Sequence, residues 1–361
     1  MSKLNLVVLF GGRSSEHSIS CATAAGVLGA IDRSKYNVIP VGITKFGVMV
    51  AAEDNASKWA LTDGPLPVVE LTSELATFHM DGSRKLTITV DGEVTSEQII
   101  DVVFPVLHGP FGEDGTMQGL LELASIPYVG NGVFASSAGI DKEFSKALFL
   151  QAGVPATPHV VIRKTDWLND PESAIEAVKQ LGSTPLFVKP ARAGSSVGVS
   201  KVNDFKDFDK AVELAFEHDS KLTVERGLVG REVECAVLSS FDGQPTRVSC
   251  AGEIIVKGRE FYDFDAKYRD ESSVDLVIPA QLTNAELAEM QDLARQAFDA
   301  IGGYGLGRVD FFLTKDGFFI NEINTLPGFT PFSMYPKLWQ ESGIAYADLI
   351  DELIQLALAR D

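Results

Sequence analysis

Residues 307–324 read Gly-Arg-Val-Asp-Phe-Phe-Leu-Thr-Lys-Asp-Gly-Phe-Phe-Ile-Asn-Glu-Ile-Asn, two β-branched and aromatic runs joined by Lys-Asp-Gly. Such a stretch folds as a hairpin with a three-residue loop, Gly317 taking the left-handed position. That register sets Asp310 opposite Glu322 and Arg308 opposite Asn324, all on one face because strand side chains alternate. Phe312, Phe318 and Ile320 are expected on the same face. Two carboxylates facing each other across a ladder repel, and a divalent cation with oxygen ligands would hold them there. A solvated polar face on an edge hairpin is the alternative, against which the apolar neighbours weigh. The hairpin alone therefore points to a Mg2+ site with Asp310, Glu322 and Asn324 as ligands.

The chain of 361 residues is long enough for two or three domains, and its 45% apolar and 9% aromatic content fits an ordinary globular protein. A formal net charge of −19 argues against nucleic acid or an anionic membrane as the main partner. A few placed Lys and Arg residues still suffice for a local anion site. The three cysteines, Cys21, Cys235 and Cys250, have no metal-ligand spacing and read as reduced core residues of a cytoplasmic protein. The apolar run 4–10 is too short for a signal segment, and no transmembrane stretch is evident.

Along the chain, 6–10 is a continuous apolar strand, as in a parallel sheet buried on both faces. Gly-Gly-Arg-Ser-Ser-Glu at 11–16 and a helix over 18–31 follow, an arrangement suited to an anion or carboxylate. It lacks the dinucleotide fingerprint. A strand over 38–43 precedes an elaboration, 44–94, with no visible chemistry. A buried strand over 101–107 runs into the polar, glycine-rich loop 108–115, and ligand sites of open α/β sheets lie at such strand ends. His108 reads equally well as a plain loop histidine. A helix over 116–124, a short strand over 126–129 and a domain boundary between 129 and 139 are expected next.

A helix opens at Asp141 and ends near Gly153, and another covers 171–181. Strand 186–190 ends in Lys189-Pro190 and meets the Gly/Ser loop 191–199. A lysine followed by backbone N–H groups and hydroxyls is the grammar of a phosphate clamp, though not a P-loop; a snorkelling lysine before a surface loop is the alternative. Strand 222–226 carries Glu225, able to accept from an adenine amine or ribose hydroxyls. The alternating run 231–238 starts a new sheet, the aromatic and charged segment 260–268 reads as a cover, and helices span 284–300 and 346–360. A cation-binding hairpin, phosphate-placed lysines and glycine loops together imply a nucleoside triphosphate site. Phosphoryl transfer to a small acceptor and ligation through a phosphorylated intermediate both remain open.

Val188-Lys189-Pro190, the loop 194–198, Gly307-Arg308-Val309-Asp310 and the run 321–328 (Asn-Glu-Ile-Asn-Thr-Leu-Pro-Gly) resemble the ATP-grasp ligases. With 11–20, the His108 loop and 261–268 added, the chain is similar, from about residue 4 to 355, to the D-alanine–D-alanine ligase family. The resemblance implies an α/β fold of three domains, an N-terminal parallel α/β sheet followed by a two-domain ATP-grasp module. The divisions fall at 1–135, 136–227 and 228–361. It implies ATP-dependent joining of two D-alanines through an acyl phosphate, for peptidoglycan synthesis, with two Mg2+ or Mn2+ ions on Asp310, Glu322 and Asn324. Lys142 and Lys189 would contact ATP phosphates, with Ser196 and Lys267 also at ATP. Glu225, Arg226, Leu228 and Glu232 would line the adenine and ribose pocket.

By the same resemblance, Glu16 would bind the first D-alanine's ammonium with His108 nearby, and Ser333 and Met334 would catch the second substrate's carboxylate. Arg308 and the Gly328 N–H would steady an oxyanion, and Ser195 and Tyr268 would join Glu16 in closing a lid. Arg226 departs from the lysine frequent in the family, and 44–94 has no catalytic counterpart in shorter relatives. The Ala-Lys-Tyr of the lid implies a dipeptide rather than a depsipeptide product. A homodimer is implied. Another carboxylate–amine ligase and a nucleotide-binding regulator without turnover are the competing readings.

Overall fold

The computed structural model describes residues 3–241, 243–256 and 274–360. The expected cover at 260–268, including Lys267 and Tyr268, lies outside the described residues.

The N-terminal unit is built on β1 (Leu4–Gly11), β2 (Tyr36–Ile43), β3 (Met49–Ala51), β4 (Glu74–Phe78), β5 (Lys85–Val90), β6 (Glu93–Ile99) and β7 (Val102–Pro105), in the order β6-β5-β4-β3-β2-β1-β7. Its helices are α1 (His17–Ala30), α2 (Ala56–Trp59), α3 (Thr116–Leu123) and α4 (Val133–Ile140). Only β2, β1 and β7 run parallel; β3 to β6 extend the sheet antiparallel. The elaboration expected over 44–94 thus becomes the outer half of the sheet and continues to Ile99. Leu6, Val7, Val8, Leu9 and Phe10 are all completely buried, as the two-sided apolar run requires. The strand expected over 126–129 is reduced to one bridge between Val103 and Tyr128. Pro127 has no N–H to extend the ladder, and Gly130 turns the chain away at φ +108°. The junction expected between 129 and 139 carries α4.

The central unit comprises α5 (Lys142–Gln151), β8 (His159–Arg163), α6 (Lys164–Asn169), α7 (Pro171–Lys179), β9 (Leu186–Pro190), β10 (Ser200–Val202), α8 (Phe208–His218) and β11 (Lys221–Arg226). Its antiparallel sheet has the order β10-β9-β11-β8. Asp141 caps α5 by accepting from the N–H groups of Glu143 and Phe144.

The C-terminal sheet joins β12 (Arg231–Leu238), β13 (Arg247–Val256), β14 (Val274–Val277), β15 (Leu306–Thr314) and β16 (Gly317–Asn324) in the order β14-β13-β12-β15-β16. Helix α9 (Asn284–Ala300) opens with a capping box between Thr283 and Glu286, worth on the order of 1 kcal/mol. It lays Met290, Ala294, Ala297 and Phe298 on the sheet's inner face. Helices α10 (Met334–Glu341) and α11 (Tyr346–Ala359) close the chain. Leu349, Leu353 and Ile354 of α11 share a core with Leu6, Val8 and Val102, and Asp351 bonds Lys35 and Tyr36. The end of the chain is therefore tied to the first sheet, with the C-terminal sheet held beside it.

The β15–β16 hairpin pairs Asp310 with Glu322 and Arg308 with Asn324, as expected, by a different route. Thr314 pairs with Gly317, so the turn has two residues, Lys315 and Asp316, and a bulge at Asn321 restores the offset. The extra residue reverses the alternation along β16. Phe318 and Ile320 consequently enter the core with Val309 and Phe311, not the carboxylate face where they were expected.

Candidate active site

A cavity of about 1060 Å³ opens where the three sheets converge. From the N-terminal unit come Glu16 and His108, from the central unit Lys142 and Ser195, and from the C-terminal unit Arg308, Glu322 and Asn324. Gly328, Ser333 and Met334 line its far side. Ten residues singled out in the sequence therefore share one space. Lys189, Ser196, Glu225, Arg226, Leu228, Glu232 and Asp310 do not line it.

Glu16 precedes α1 and is almost completely buried. Ser195 Oγ donates to its Oε1, so the Gly/Ser loop of the central unit reaches the first glycine turn. Close approach explains the glycines here: a Cβ on Gly109, which has φ +71°, would lie 3.0 Å from Glu16 Oε2. Ser195 and Ser196 themselves take positive φ, +49° and +58°. His108 is buried, its Nε2 3.1 Å from Thr23 Oγ1. Burial lowers its pKa below that of an ordinary histidine although the charge of Glu16 opposes the shift. The 44–99 elaboration also reaches the site, since Ala56, Ser57, Ala60 and Leu61 line the cavity.

Glu113, not singled out in the sequence, stands beside Glu16 and accepts from the Gly109 N–H at 3.0 Å. Burial, reinforced by the negative charge of Glu16, pushes its pKa up to about 8. The folded value exceeds the unfolded one, so this group's contribution to stability is full at low pH and declines as pH rises through about 8. Glu113→Gln, which stays neutral, is expected to flatten the fall in urea midpoint between about pH 4.5 and 8. Parallel midpoint curves for parent and variant would contradict this.

On the C-terminal sheet, Arg308 grips Asp310 bidentately, Nε to Oδ1 and Nη2 to Oδ2, both at 2.7 Å. It also meets Glu234 Oε2 at 2.9 Å. Asn324 Nδ2 donates to Asp310 Oδ2 at 2.9 Å, and Lys142 Nζ lies 3.7 Å from Glu322. Part of the carboxylate repulsion expected to need a cation is thus met by Arg308 and Lys142. These anions raise the Arg308 pKa further despite burial. Glu234, on β12 directly opposite Asp310 of β15, was signalled only by the alternation of 231–238.

The donor set fits a hard cation. Two carboxylates and an amide oxygen, with room in the cavity beside Glu322 and Asn324, suit an ion that keeps waters and takes substrate phosphates as further ligands. No group of three or more His, Cys, Asp or Glu side chains suited to a metal exists among the described residues, so no all-protein cage competes with this arrangement.

Lys189 does not open into the cavity: its Nζ donates to Glu225 Oε2 at 2.8 Å and to Asn321 Oδ1 at 3.2 Å. Glu225 is buried with its oxygens turned to lysines, Lys146 Nζ standing 3.4 Å from Oε1. The side chain expected to accept from adenine or ribose meets both lysines here. Lys146, completely buried, and Asn321 were both missed. Lys146 sat unremarked within the helix signal, and Asn321 acquires its place only from the bulge.

Residues 5–131 match the family described as "D-ala D-ala ligase N-terminus", and residues 148–355 match "D-ala D-ala ligase C-terminus". The D-alanine–D-alanine ligase of Arthrobacter sp. (strain FB24) is 52% identical, the match covering 99% of this chain and 95% of that protein. The enzyme of the same name from Streptomyces griseus is 50% identical, with 99% and 93% covered. Among solved structures, VanG D-Ala:D-Ser ligase from Enterococcus faecalis superposes with a TM-score of 0.84 at 32% identity, covering 99% of this chain and 100% of that one. The D-alanine-D-alanine ligase from Coxiella burnetii gives 0.83 at 31% identity, with 99% and 94% covered. With two family matches that together take in most of its length, the chain belongs to the D-alanine–D-alanine ligase family.

Proposed function

We propose that this chain joins two D-alanine molecules to D-alanyl-D-alanine with conversion of ATP to ADP and phosphate, for peptidoglycan synthesis. The observation that carries the proposal is the meeting of Glu16, Arg308, Glu322 and Asn324 around one cavity, with Asp310 directly behind, paired to Glu322 and gripped by Arg308. An ammonium acceptor, an oxyanion donor and a cation site are what an acyl-phosphate ligation needs.

The carboxylate of the first D-alanine attacks the γ-phosphorus of ATP and releases ADP. The amine of the second attacks the acyl carbon, and the tetrahedral intermediate expels phosphate. Glu16 binds the first ammonium, and Ser195 orients Glu16. Arg308 and the Gly328 N–H stabilise the oxyanion, a role worth roughly 3 kcal/mol per donor. Lys142 and Lys189 hold the ATP phosphates, and Ser196, Arg226, Leu228 and Glu232 contribute to the nucleotide pocket. Ser333 and Met334 receive the carboxylate of the second substrate. Two Mg2+ or Mn2+ ions on Asp310, Glu322 and Asn324 would, when bound, offset charge on the transferring phosphoryl group. Lys267 and Tyr268 would complete a lid that excludes water, which protects an acyl phosphate from hydrolysis.

The proposal extends to domains at 1–135, 136–227 and 228–361, a homodimer, and a cytoplasmic location. Among the described residues no helix is long and apolar enough to cross a membrane.

Phosphate release from ATP, measured with D-alanine, L-alanine or no amino acid, tests the function. Release that depends on D-alanine is expected, with D-alanyl-D-alanine as the product. Release independent of D-alanine overturns it. With D-lactate or D-serine offered as the second substrate at neutral pH, D-alanine is expected to be preferred.

A further inference from the structure

Three charges lie outside the cavity lining: Lys146 on α5 and Glu225 on β11, both buried, and the half-buried Lys189 on β9. Lys146 Nζ donates to the Asn321 carbonyl at 2.8 Å and stands 3.4 Å from one oxygen of Glu225. Lys189 Nζ takes the other oxygen at 2.8 Å. Glu225 is thus the carboxylate within 3.4 Å of both ammoniums, while Glu322 acts on both, and Glu232 on Lys189, through their charge. A fully buried ammonium is costly to desolvate, and an apolar side chain would fill the space under α5 without that cost, so packing alone does not account for Lys146. The charge count does. Glu225 with Lys189 alone is a neutral contact pair, whereas the three groups in contact, Lys146 included, carry a net positive charge.

We propose that Lys146 is a positioning residue for ATP, drawing on Glu225 and Asn321 so that Lys189 stays in place and the set keeps a positive charge for the polyphosphate. The inference rests on the proposal that Lys189 contacts ATP phosphates. Burial would raise the Glu225 pKa, yet Lys146 and then Lys189 hold it down to about 2. Burial dominates at Lys146 and lowers its pKa, while at Lys189 the closer carboxylate overcomes burial and raises it.

The test compares dissociation constants of Mg2+-ATP and of adenosine, which lacks phosphate, by calorimetry on the full chain. Their ratio cancels changes in the adenine pocket. Lys146→Gln is expected to reduce the preference for ATP over adenosine by ~10-fold to 100-fold, the range typical of residues that orient a ligating group. Lys146→Arg should hold it within about threefold. The double variant Lys146→Gln/Glu225→Gln should regain most of the loss, because Lys189 again stands without an opposing carboxylate. Should Lys146→Gln fail to fold, Glu225→Gln alone tests the same balance and is expected to increase the preference for ATP. An unchanged ratio in Lys146→Gln, or in Glu225→Gln where that variant replaces it, overturns the inference. An unchanged ratio in Lys189→Gln overturns instead the assignment of Lys189 to phosphate.

Discussion

Arg308→Met is expected to lower kcat by ~10²-fold to 10³-fold, the loss typical of removing one oxyanion donor. The same change strips Asp310 of its bidentate partner and Glu234 of a guanidinium 2.9 Å away. Breaking a buried pair from one side costs about 3–5 kcal/mol, so thermal unfolding must accompany the kinetics. Arg308→Lys separates the two effects. A lysine keeps the charge and much of the stability, but as a point donor it cannot span both oxygens of Asp310 and still reach a substrate. The expected result is a variant with nearly parental Tm and kcat still depressed by ~10-fold or more. If Arg308→Met turned over within threefold of the parent, Arg308 would be a structural counter-ion and no more.

Asp310→Asn and Glu322→Gln are expected to abolish the rise in Tm that Mg2+ with ADP produces in the parent, and to lower kcat by roughly 10²-fold or more, since a bound cation supplies several kcal/mol. The two variants should differ without Mg2+. Asp310→Asn loses the grip of Arg308, whereas Glu322→Gln removes one of two facing carboxylates, the one that Lys142 meets at 3.7 Å. Glu322→Gln is therefore expected to keep the higher Tm of the two. Both Asp310 oxygens already accept from Arg308, and Asn324 shares one of them. Mg2+ alone should accordingly stabilise the parent less than Mg2+ with ADP. An Asp310→Asn protein whose Tm rises with Mg2+ and ADP as much as the parent's would remove Asp310 from the ligand set.

The hairpin shows how far local chemistry carries. Alternating apolar residues, a Lys-Asp-Gly turn and two acids were enough to pair Asp310 with Glu322 and to propose a cation there. The turn length and the bulge were not legible. Two offsets of one residue cancel in the final pairing, so the right partners follow from either route, but the faces of Phe318 and Ile320 do not. The glycine turn at 11–12, the His108 loop and the Gly/Ser loop were legible for a similar reason: glycines and hydroxyls at strand ends state a local conformational need. Where a strand depended on a single pairing, as at 126–129, the apolar signal overstated it, because Pro127 withholds the next N–H.

What the sequence settled is what is encoded within a few neighbours: many of the strands and helices, the hairpin partners, and a family signature spread in order along the chain. What the tertiary structure alone decided is which charges face one another. Lys146 and Asn321 are 175 positions apart, and Glu16 and Ser195 are 179 apart. No local pattern marks Lys146 as a buried counter-charge, Glu113 as an acid crowded by Glu16, or Glu225 as an anion shared by two lysines. Burial and Coulomb energy depend on distance in space, and those distances exist only once three sheets have converged on one cavity.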